Sequence, residues 1–278
     1  MPEERGHSLE AVIALAKAAG TAILKYYGLP SEDKTLRITQ KHDHTLLTQA
    51  DLNAHNVLYQ GLKKMTPDIP ILSEEGEIMP YTQRTQWLRY WLLDPLDGTR
   101  GFIAHSEEFT VNIALIENRR PILGVVYAPK LESCYFAAHR LGAFKQMQSH
   151  AAEPIHTRKM DWDSFRVLMG HYLSSSRLPE LLETVEGCEV VRLNSSLKFC
   201  AIAEGKGDFY PRFGETSEWD TAAAQCVLAE ANGIVVDLNG QSLQYNAKDS
   251  LINPPFVAIG DPTQKNNIIN LIKEKRNK

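Results

Sequence analysis

The amino-acid sequence predicts a protein in two parts, α+β up to about residue 160 and α/β from there to residue 278. Strand-like segments follow one another closely in the first part, with a hairpin signal at residues 118–120. After a polar stretch that ends near residue 164, strand-like and helix-like segments alternate, which is typical of α/β structure. We therefore place a soft boundary between parts 1–160 and 161–278.

The first part is expected to open with two helices. The segment 8–28 is predicted to begin with Ser8 as its N-cap and to stop at Gly28. A second helix runs from about Asp51 to Met65, where leucines recur on one face. Strands are predicted after these helices, in a sheet that leans towards antiparallel pairing, at 70–73, 90–94, 110–117, 121–128, 134–138 and 142–146.

The second part is expected to begin with the strand FRVLMG at residues 165–170. Short apolar runs and longer amphipathic ones alternate after it, so we expect strands and helices in turn. The helices are predicted near 178–186, 195–204, 218–231 and 262–275, and the strands near 189–193, 208–211, 233–237 and 256–259.

Composition excludes several classes of function. Thirty Lys and Arg against 34 Asp and Glu leave a net charge of −4, so no general attraction for nucleic acid is expected. The four cysteines are widely spaced, which favours a reducing compartment over a disulfide framework. The N-terminal segment is charged and the apolar runs are too short to span a bilayer. We expect a cytoplasmic protein, with peripheral attachment to the inner face of the membrane left open.

Acidic side chains recur where predicted elements begin or end. If these ends converge, four or five carboxylates share one site, and they cannot all stay ionised unless cations neutralise them. Carboxylate and carbonyl oxygens suit Mg²⁺, Mn²⁺ or Ca²⁺ better than zinc, since no His or Cys accompanies the set. The candidates for this site are Asp51, Glu74, Glu75, Asp94, Asp97 and Asp220.

The stretch DPLDGT at residues 94–99 adds a candidate phosphate site. A chain that leaves a strand through Gly98 and Thr99 into a helical turn presents backbone N–H groups and a hydroxyl to a phosphate oxygen. Two cations about 3.5–4 Å apart could then activate a water and stabilise the leaving oxygen.

Each acidic residue also has a plain structural interpretation. Asp97 and Gly98 could form only a hairpin turn, and Asp220 could be half of a capping box with Ser217. Glu74 and Glu75 could be a solvated loop. The recurrence of carboxylates at several element ends, beside a Gly-Thr turn, favours the metal site.

A second anion site is predicted in the segment 193–214. Ser195 and Lys198 open a helix, and Arg212 leaves the strand that follows it. A helix N-terminus, a lysine and an arginine together suit a phosphate group. The alternative is that both cations are solvated surface charges. The triplet His42–His44 is interpreted as a solvated loop.

These motifs resemble the inositol monophosphatase superfamily of Mg²⁺-dependent, lithium-sensitive phosphatases. The resemblance rests on LTQAD, LSEE, DPLDGT and EWDTAA in order, and covers roughly residues 45–235. It implies a layered α-β-α-β-α sandwich and two or three Mg²⁺ ions, which Mn²⁺ could replace. It implies water positioned by Asp51 and Thr99 and phosphate held by Gly98 and Thr99. The implied metal ligands are Glu74, Asp94, Asp97, Asp220 and the carbonyl oxygen of Leu96.

The phrase SSLKF…YPRFG…WDTAA is similar to the 3′(2′),5′-bisphosphate nucleotidase branch of this superfamily. That branch implies adenosine 3′,5′-bisphosphate as substrate, cleaved to AMP and phosphate by direct displacement with water. Ser195, Lys198 and Arg212 would hold the phosphate that is not cleaved, Asp220 would also contact the substrate, and His171 would contact the base or ribose. An inositol or sugar phosphate monophosphatase and a non-catalytic regulator stay open, as does a monomeric or homodimeric state. One departure from the family pattern is Ala224, where many members have glycine.

Overall fold

The computed structural model describes residues 2–40, 46–171, 182 and 184–276. No helix in these ranges is long and apolar enough to cross a membrane. The helices are α1 Pro2–Leu24, α2 Gln49–Met65, α3 Tyr81–Arg84, α4 Thr99–Ile103, α5 Leu197–Ala203, α6 Ala222–Glu230 and α7 Lys265–Arg276, and 3₁₀ turns span Glu218–Asp220 and Pro262–Gln264. The strands are β1 Thr39–Gln40, β2 Leu46–Leu47, β3 Ile71–Ser73, β4 Arg89–Asp97, β5 Thr110–Glu117, β6 Arg120–Ala128, β7 Ser133–Ala138, β8 Gly142–Met147, β9 Glu153–Ile155, β10 Phe165–Met169, β11 Cys188–Arg192, β12 Phe209–Arg212, β13 Ile234–Asp237 and β14 Phe256–Ile259.

The strands form two large sheets, the first built from β3–β9 and the second from β10–β14. The first pairs in the order β3-β4-β5-β6-β7-β8-β9 and is antiparallel except between β3 and β4. The second pairs in the order β11-β10-β12-β14-β13, with parallel pairing on both sides of β10. The predicted hairpin is confirmed, since Asn118 and Arg119 join β5 and β6 with positive φ angles. The chain leaves the first sheet at Ile155, the end of β9, and enters the second at Phe165, the start of β10. The division of the chain into two parts near residue 160 stays a prediction.

Alternate side chains of the first sheet face two different hydrophobic cores. Trp91 and Leu93 of β4 lie in a core with the helices α1 and α2. Leu92, between them, lies in a second core with the helices α5 and α6. Because both faces of the strand are covered, β4 reads as a continuous apolar run rather than as an alternation of polar and apolar residues.

A third core closes the molecule on the far side of the second sheet. There Phe165 and Val257 pack with Ile268 and Ile272 of α7. The order of layers is therefore α1 and α2, the first sheet, α5 and α6, the second sheet, and α7. This confirms the layered α-β-α-β-α sandwich.

The structure corrects several element boundaries. Helix α1 begins at Pro2, so the prediction that Ser8 is its N-cap is wrong. Proline is favoured in the first turn of a helix. Strand β9 was missed because it lies in the polar stretch after residue 148. The helix predicted near 178–186 falls largely outside the described residues, and the His42–His44 triplet falls wholly outside them.

Helix α6 approaches the first sheet closely at Gly124 of β6. A Cβ atom at Gly124 would lie 2.3 Å from the carbonyl oxygen of Ala223 and 2.8 Å from Cβ of Cys226. Backbone atoms cannot rotate away from such a contact, so only glycine allows the helix to lie here. This close approach places the start of α6, and Asp220 before it, against the first sheet.

We expect Gly124→Ala to lower the free energy of unfolding by roughly 1–3 kcal/mol, because it forces α6 away from β6. Urea unfolding followed by circular dichroism measures the change. Gly170→Ala is the matched control, since nothing lies within 4 Å of a Cβ atom there. Equal stability of the two variants would contradict the assigned contact.

Candidate active site

An irregularity in β4 brings its two aspartates to the same side of the strand. Residues three apart on a regular strand point to opposite faces. The pairing with β5 shifts between Asp94, opposite Asn112, and Asp97, opposite Thr110, so β4 carries one extra residue there. With the extra residue, Asp94 and Asp97 point to the same face of the strand. The charge of Asp97 therefore acts on the carboxylate of Asp94.

Gly98 turns the chain from β4 directly into α4. Its φ angle is +94°, in the left-handed region that favours glycine. A Cβ atom here would also lie 2.9 Å from Oγ of Ser195 and 3.3 Å from the carbonyl oxygen of Glu108. The alternative that Asp97 and Gly98 form a hairpin turn is therefore wrong, because a helical turn follows them.

Three carboxylates converge at the end of β4. Oxygens of Glu74, Asp94 and Asp220 all lie within 4.8 Å of one another. Glu74 follows β3 and is held by a backbone hydrogen bond of 3.1 Å to the carbonyl oxygen of Leu93. Asp220 ends a 3₁₀ turn, so the group joins the first sheet to the second half of the chain.

Burial and mutual repulsion raise the pKa values of Asp94 and Asp220. Burial is the first cause of the raised pKa of Asp94, and the charges of Glu74 and Asp97 add to it. The pKa of Asp220 is raised by burial and then by Asp97 and Glu74. Ionised carboxylates this close need a cation, and a divalent ion with oxygen ligands fits them.

Asp97 lies beside this group without joining it. Its Oδ2 atom accepts hydrogen bonds from Ser196, from the backbone N–H at 2.8 Å and from Oγ at 3.2 Å. The carbonyl oxygen of Leu96 accepts a hydrogen bond of 3.2 Å from the Thr99 hydroxyl. Metal ligation by Asp97 and Leu96 stays a prediction.

Asp51 combines a structural and a chemical contact. Its Oδ2 atom accepts hydrogen bonds from the backbone N–H of Thr48 at 2.7 Å and from the Thr48 hydroxyl at 2.6 Å, which closes the capping box of α2. Its Oδ1 atom accepts a hydrogen bond of 3.2 Å from the Thr99 hydroxyl. Burial raises the pKa of Asp51 to about 6.

Lys198 is buried beside the carboxylates, so the alternative of a solvated surface charge is wrong for it. The side chain is 6% exposed, and its Nζ donates a 2.6 Å hydrogen bond to the carbonyl oxygen of Ser195. The same Nζ lies 5.0 Å from the centre of the Tyr210 ring. Burial lowers the pKa of Lys198 to about 8, the charge of Asp97 raises it, and that of Arg212 lowers it further.

Ser195 and Arg212 complete the predicted second anion site. Ser195 has a φ angle of +53°, and its Oγ lies 3.1 Å from the carbonyl oxygen of Asp97. Arg212 is half-buried and donates hydrogen bonds to the carbonyl oxygens of Gly214 and Glu215. The structure thus brings the predicted residues of the second site next to the carboxylate group.

His171 lies at the rim of a cavity of about 440 Å³. Its Nε2 is 3.2 Å from a carboxylate oxygen of Glu108, and that same oxygen accepts the backbone N–H of Asn194. The backbone of Glu108 also accepts from Ser195, so the cavity adjoins the second anion site. Its walls are formed by Ser106, Glu107, Glu108, Leu131, His171 and Asn194.

Sequence reasoning missed Asn112, which supports Asp97, and Glu108, which contacts Ser195 and His171. Asn112 is buried, and its amide donates to Oγ of Ser196 at 3.0 Å and lies 3.4 Å from Asp97. A polar residue in the middle of the apolar run TVNIALIE is a signal that could have identified it. Glu108 gave no such signal, because it lies in an acidic loop.

The chain is similar in sequence to proteins of known family. A sequence profile of the inositol monophosphatase family matches residues 6–276. The 3′(2′),5′-bisphosphate nucleotidase CysQ of Salmonella typhimurium is 42% identical over 89% of this chain and 98% of its own. The CysQ of Haemophilus influenzae is 36% identical over 92% of this chain and 93% of its own.

Solved structures show the same fold. The crystal structure of CysQ from Bacteroides thetaiotaomicron has a TM-score of 0.79 and 34% identity, over 91% of this chain and 97% of that one. The Thermotoga maritima IMPase has a TM-score of 0.81 at 23% identity, over 97% of this chain and 98% of that one, and shows the fold alone. The fold and its carboxylate group define a phosphatase of the metal-dependent kind. The chain belongs to the inositol monophosphatase family.

We expect the metal-free protein to become less stable as the pH rises from about 4 through about 6. The folded pKa of Asp51 is about 6, and those of Asp94 and Asp220 are also raised, all above the unfolded value of about 3.9. The folded protein therefore binds more protons than the unfolded chain, and deprotonation costs stability. Melting temperatures in EDTA between pH 4.5 and 8 measure this.

Asp94→Asn removes one charge from the carboxylate group and so tests the repulsion among Glu74, Asp94 and Asp220. It should raise the melting temperature in EDTA at pH 8 and remove the stabilisation by Mg²⁺, which for the unaltered protein is about 2.7 kcal/mol at a hundred times Kd. The exposed Asp68 supplies the control variant Asp68→Asn. An unchanged Mg²⁺ response in Asp94→Asn would contradict the metal site.

Proposed function

We propose that the protein is a Mg²⁺-dependent 3′(2′),5′-bisphosphate nucleotidase that cleaves adenosine 3′,5′-bisphosphate to AMP and phosphate. The observation that carries the proposal is a second cationic site beside the carboxylate group, centred on the buried Lys198. The relatives named 3′(2′),5′-bisphosphate nucleotidase CysQ support it. In the cell this reaction would clear the by-product of sulfate activation. A cytoplasmic location and a monomeric or homodimeric state stay predictions.

The carboxylates would hold the metal ions. Glu74, Asp94 and Asp220 are mutually close enough to share a divalent ion. Asp97 and the Leu96 carbonyl oxygen would be further ligands. Bound Mg²⁺ would supply Lewis-acid polarisation of the phosphate and a lowered pKa for water. The number of ions, replacement by Mn²⁺ and inhibition by Li⁺ belong to the proposal.

Asp51 and Thr99 would orient the attacking water. The Thr99 hydroxyl already donates to Oδ1 of Asp51, and Oδ2 is held by Thr48. These hydrogen bonds fix the carboxylate in one rotamer. Burial raises its pKa to about 6, which suits a general base near neutral pH. The backbone at Gly98 and Thr99 would hold the phosphate that is cleaved.

The second site would hold the phosphate that stays on the nucleotide. Lys198 and Arg212 repel one another in the free protein, which is part of the lowered pKa of Lys198. A phosphate dianion between them would replace that repulsion with attraction. Ser195 would add a hydroxyl, Asp220 would contact the substrate, and His171 would face the nucleoside across the adjoining cavity.

Phosphate release from adenosine 3′,5′-bisphosphate, compared with inositol 1-phosphate, tests the proposal. With Mg²⁺ we expect kcat/KM to favour the bisphosphate by at least tenfold, because only the bisphosphate engages both sites. EDTA should stop release from either compound. Release from inositol 1-phosphate alone would leave the metal site in place and refute the nucleotidase.

Two substitutions should locate the second site. Lys198→Met keeps an aliphatic side chain of similar length without the charge, and Arg212→Ala removes the guanidinium group. Each should raise KM for the bisphosphate about tenfold or more, as expected for loss of a charged contact, and leave a monophosphate unaffected. Arg120→Ala, at an exposed hairpin, is the matched control.

Asp51→Asn separates the general base from the metal ligands. We expect kcat to fall about 10²–10⁴-fold, because the amide cannot accept the proton from water. The Mg²⁺ concentration for half-maximal activity should change little, since Asp51 is placed outside the ligand set. A large rise in that concentration with kcat preserved would reassign Asp51 as a ligand.

A further inference from the structure

A buried polar cluster adjoins the turn that carries Asp220. Glu218, two residues earlier, is 1% exposed, and its Oε2 atom accepts a 2.7 Å hydrogen bond from the backbone N–H of Asn246. The backbone N–H of Glu218 donates to the carbonyl oxygen of Leu251 at 2.8 Å. The turn is therefore attached at two points to the segment 245–251.

Arg84 holds that segment from the first part of the chain. It ends α3, is 2% exposed, and its Nη1 donates to the side-chain oxygen of Asn246. The Asn246 amide in turn donates to the Arg84 carbonyl oxygen, which closes a reciprocal pair. The guanidinium also donates to the carbonyl oxygens of Lys248 and Asp249.

The charge of Arg84 acts on Glu218 within this cluster. Burial raises the pKa of Glu218 to about 7, and the Asn246 hydrogen bond and the charge of Arg84 oppose that rise. The nearby Tyr90 is affected by both charges, since Glu218 raises its pKa and Arg84 lowers it. The cluster thus links an arginine of the first part to the residue that opens the Asp220 turn.

Stability alone does not account for these residues. The Nε of Arg84 and the hydroxyl of Tyr90 are buried and have no hydrogen-bond partner among the described residues. Incompletely paired buried charges cost free energy, and a well-packed apolar cluster of similar volume is often at least as stable. What the charged cluster does supply is directional bonds that allow one geometry of the segment 245–251 and of the turn attached to it.

We propose that Arg84 and Glu218, joined through Asn246, are positioning residues for the carboxylate of Asp220. Glu74 and Asp94 come from the first sheet, whereas Asp220 comes from the second half of the chain, so their separation depends on how the two are tied together. Arg84 provides such a tie close to β4. The proposal rests on the proposed function only in that Asp220 binds the metal ion.

Mg²⁺ binding by isothermal titration calorimetry tests this, alongside phosphate release at saturating Mg²⁺. Arg84→Met should weaken Mg²⁺ binding roughly 10–100-fold, as expected when a residue that orients a metal ligand is lost. KM for the bisphosphate should stay within about twofold at saturating Mg²⁺, because the second anion site is untouched. Glu218→Gln keeps an acceptor for Asn246 and should weaken binding by only a few-fold. Arg89→Met is the control, an exposed arginine paired with Glu117.

The double variant Arg84→Met, Glu218→Gln should bind Mg²⁺ no more weakly than Arg84→Met alone, since residues that act as a unit are not additive. Wild-type Mg²⁺ affinity in a cooperatively melting Arg84→Met protein would overturn the proposal. If Arg84→Met does not fold, Glu218→Gln decides, and an unchanged affinity there overturns it. If the wild-type protein binds Mg²⁺ tightly but releases no phosphate, the proposed nucleotidase activity is refuted. The Mg²⁺ affinities of the variants, measured by calorimetry, then still test the positioning role of Arg84 and Glu218.

Discussion

Repulsion among buried carboxylates is the constraint on which the rest of this structure depends. Asp94 is 1% exposed, and its pKa is raised by burial and by the neighbouring acids, so the fold keeps an unfavourable group of charges together. Such a group persists only where the surrounding structure determines it from several directions. Here a bulge in β4, the end of β3 and a turn before α6 each supply one side. The close approach of α6 at Gly124 is what brings the last of these into reach.

The buried Lys198 gives this acidic region its selectivity in our proposal. A site made only of carboxylates attracts cations and, through them, any phosphate. Lys198 is fixed by Ser195 and lies over Tyr210, so its charge cannot move away to solvent. The low exposure also makes the charge costly unless an anion pairs with it. A substrate with two phosphates satisfies both the metal ions and Lys198, whereas a monophosphate leaves one cationic site unpaired.

Strand positions could be predicted from the sequence where both faces of the sheet are buried. Strand β5 was predicted at the residues where it is observed, because its apolar run is long and bounded by polar loops. The burial of Lys198 could not be predicted from the sequence. A lysine on a short helix is usually solvated, and only the tertiary contact with Tyr210 of β12 shows otherwise. The predicted start of α1 was wrong because Ser8 is a favourable N-cap residue but lies within a segment that is already helical. The Arg84 cluster was missed because Arg84 and Asn246 are 162 residues apart in the chain.

The structural and functional interpretations of the aspartates turn out not to exclude one another. Asp51 and Asp220 each occupy the third position of a capping box, with Thr48 and Ser217 as the respective N-caps. In each case Oδ2 accepts the backbone N–H of the N-cap residue. A cap fixes the side-chain rotamer at the cost of one oxygen, and leaves Oδ1 aimed along a set direction. In Asp51 that oxygen contacts Thr99, and in Asp220 the carboxylate joins the group with Glu74 and Asp94. Capping is therefore the means by which two helix starts, one from each half of the chain, present a carboxylate with defined geometry to the same site.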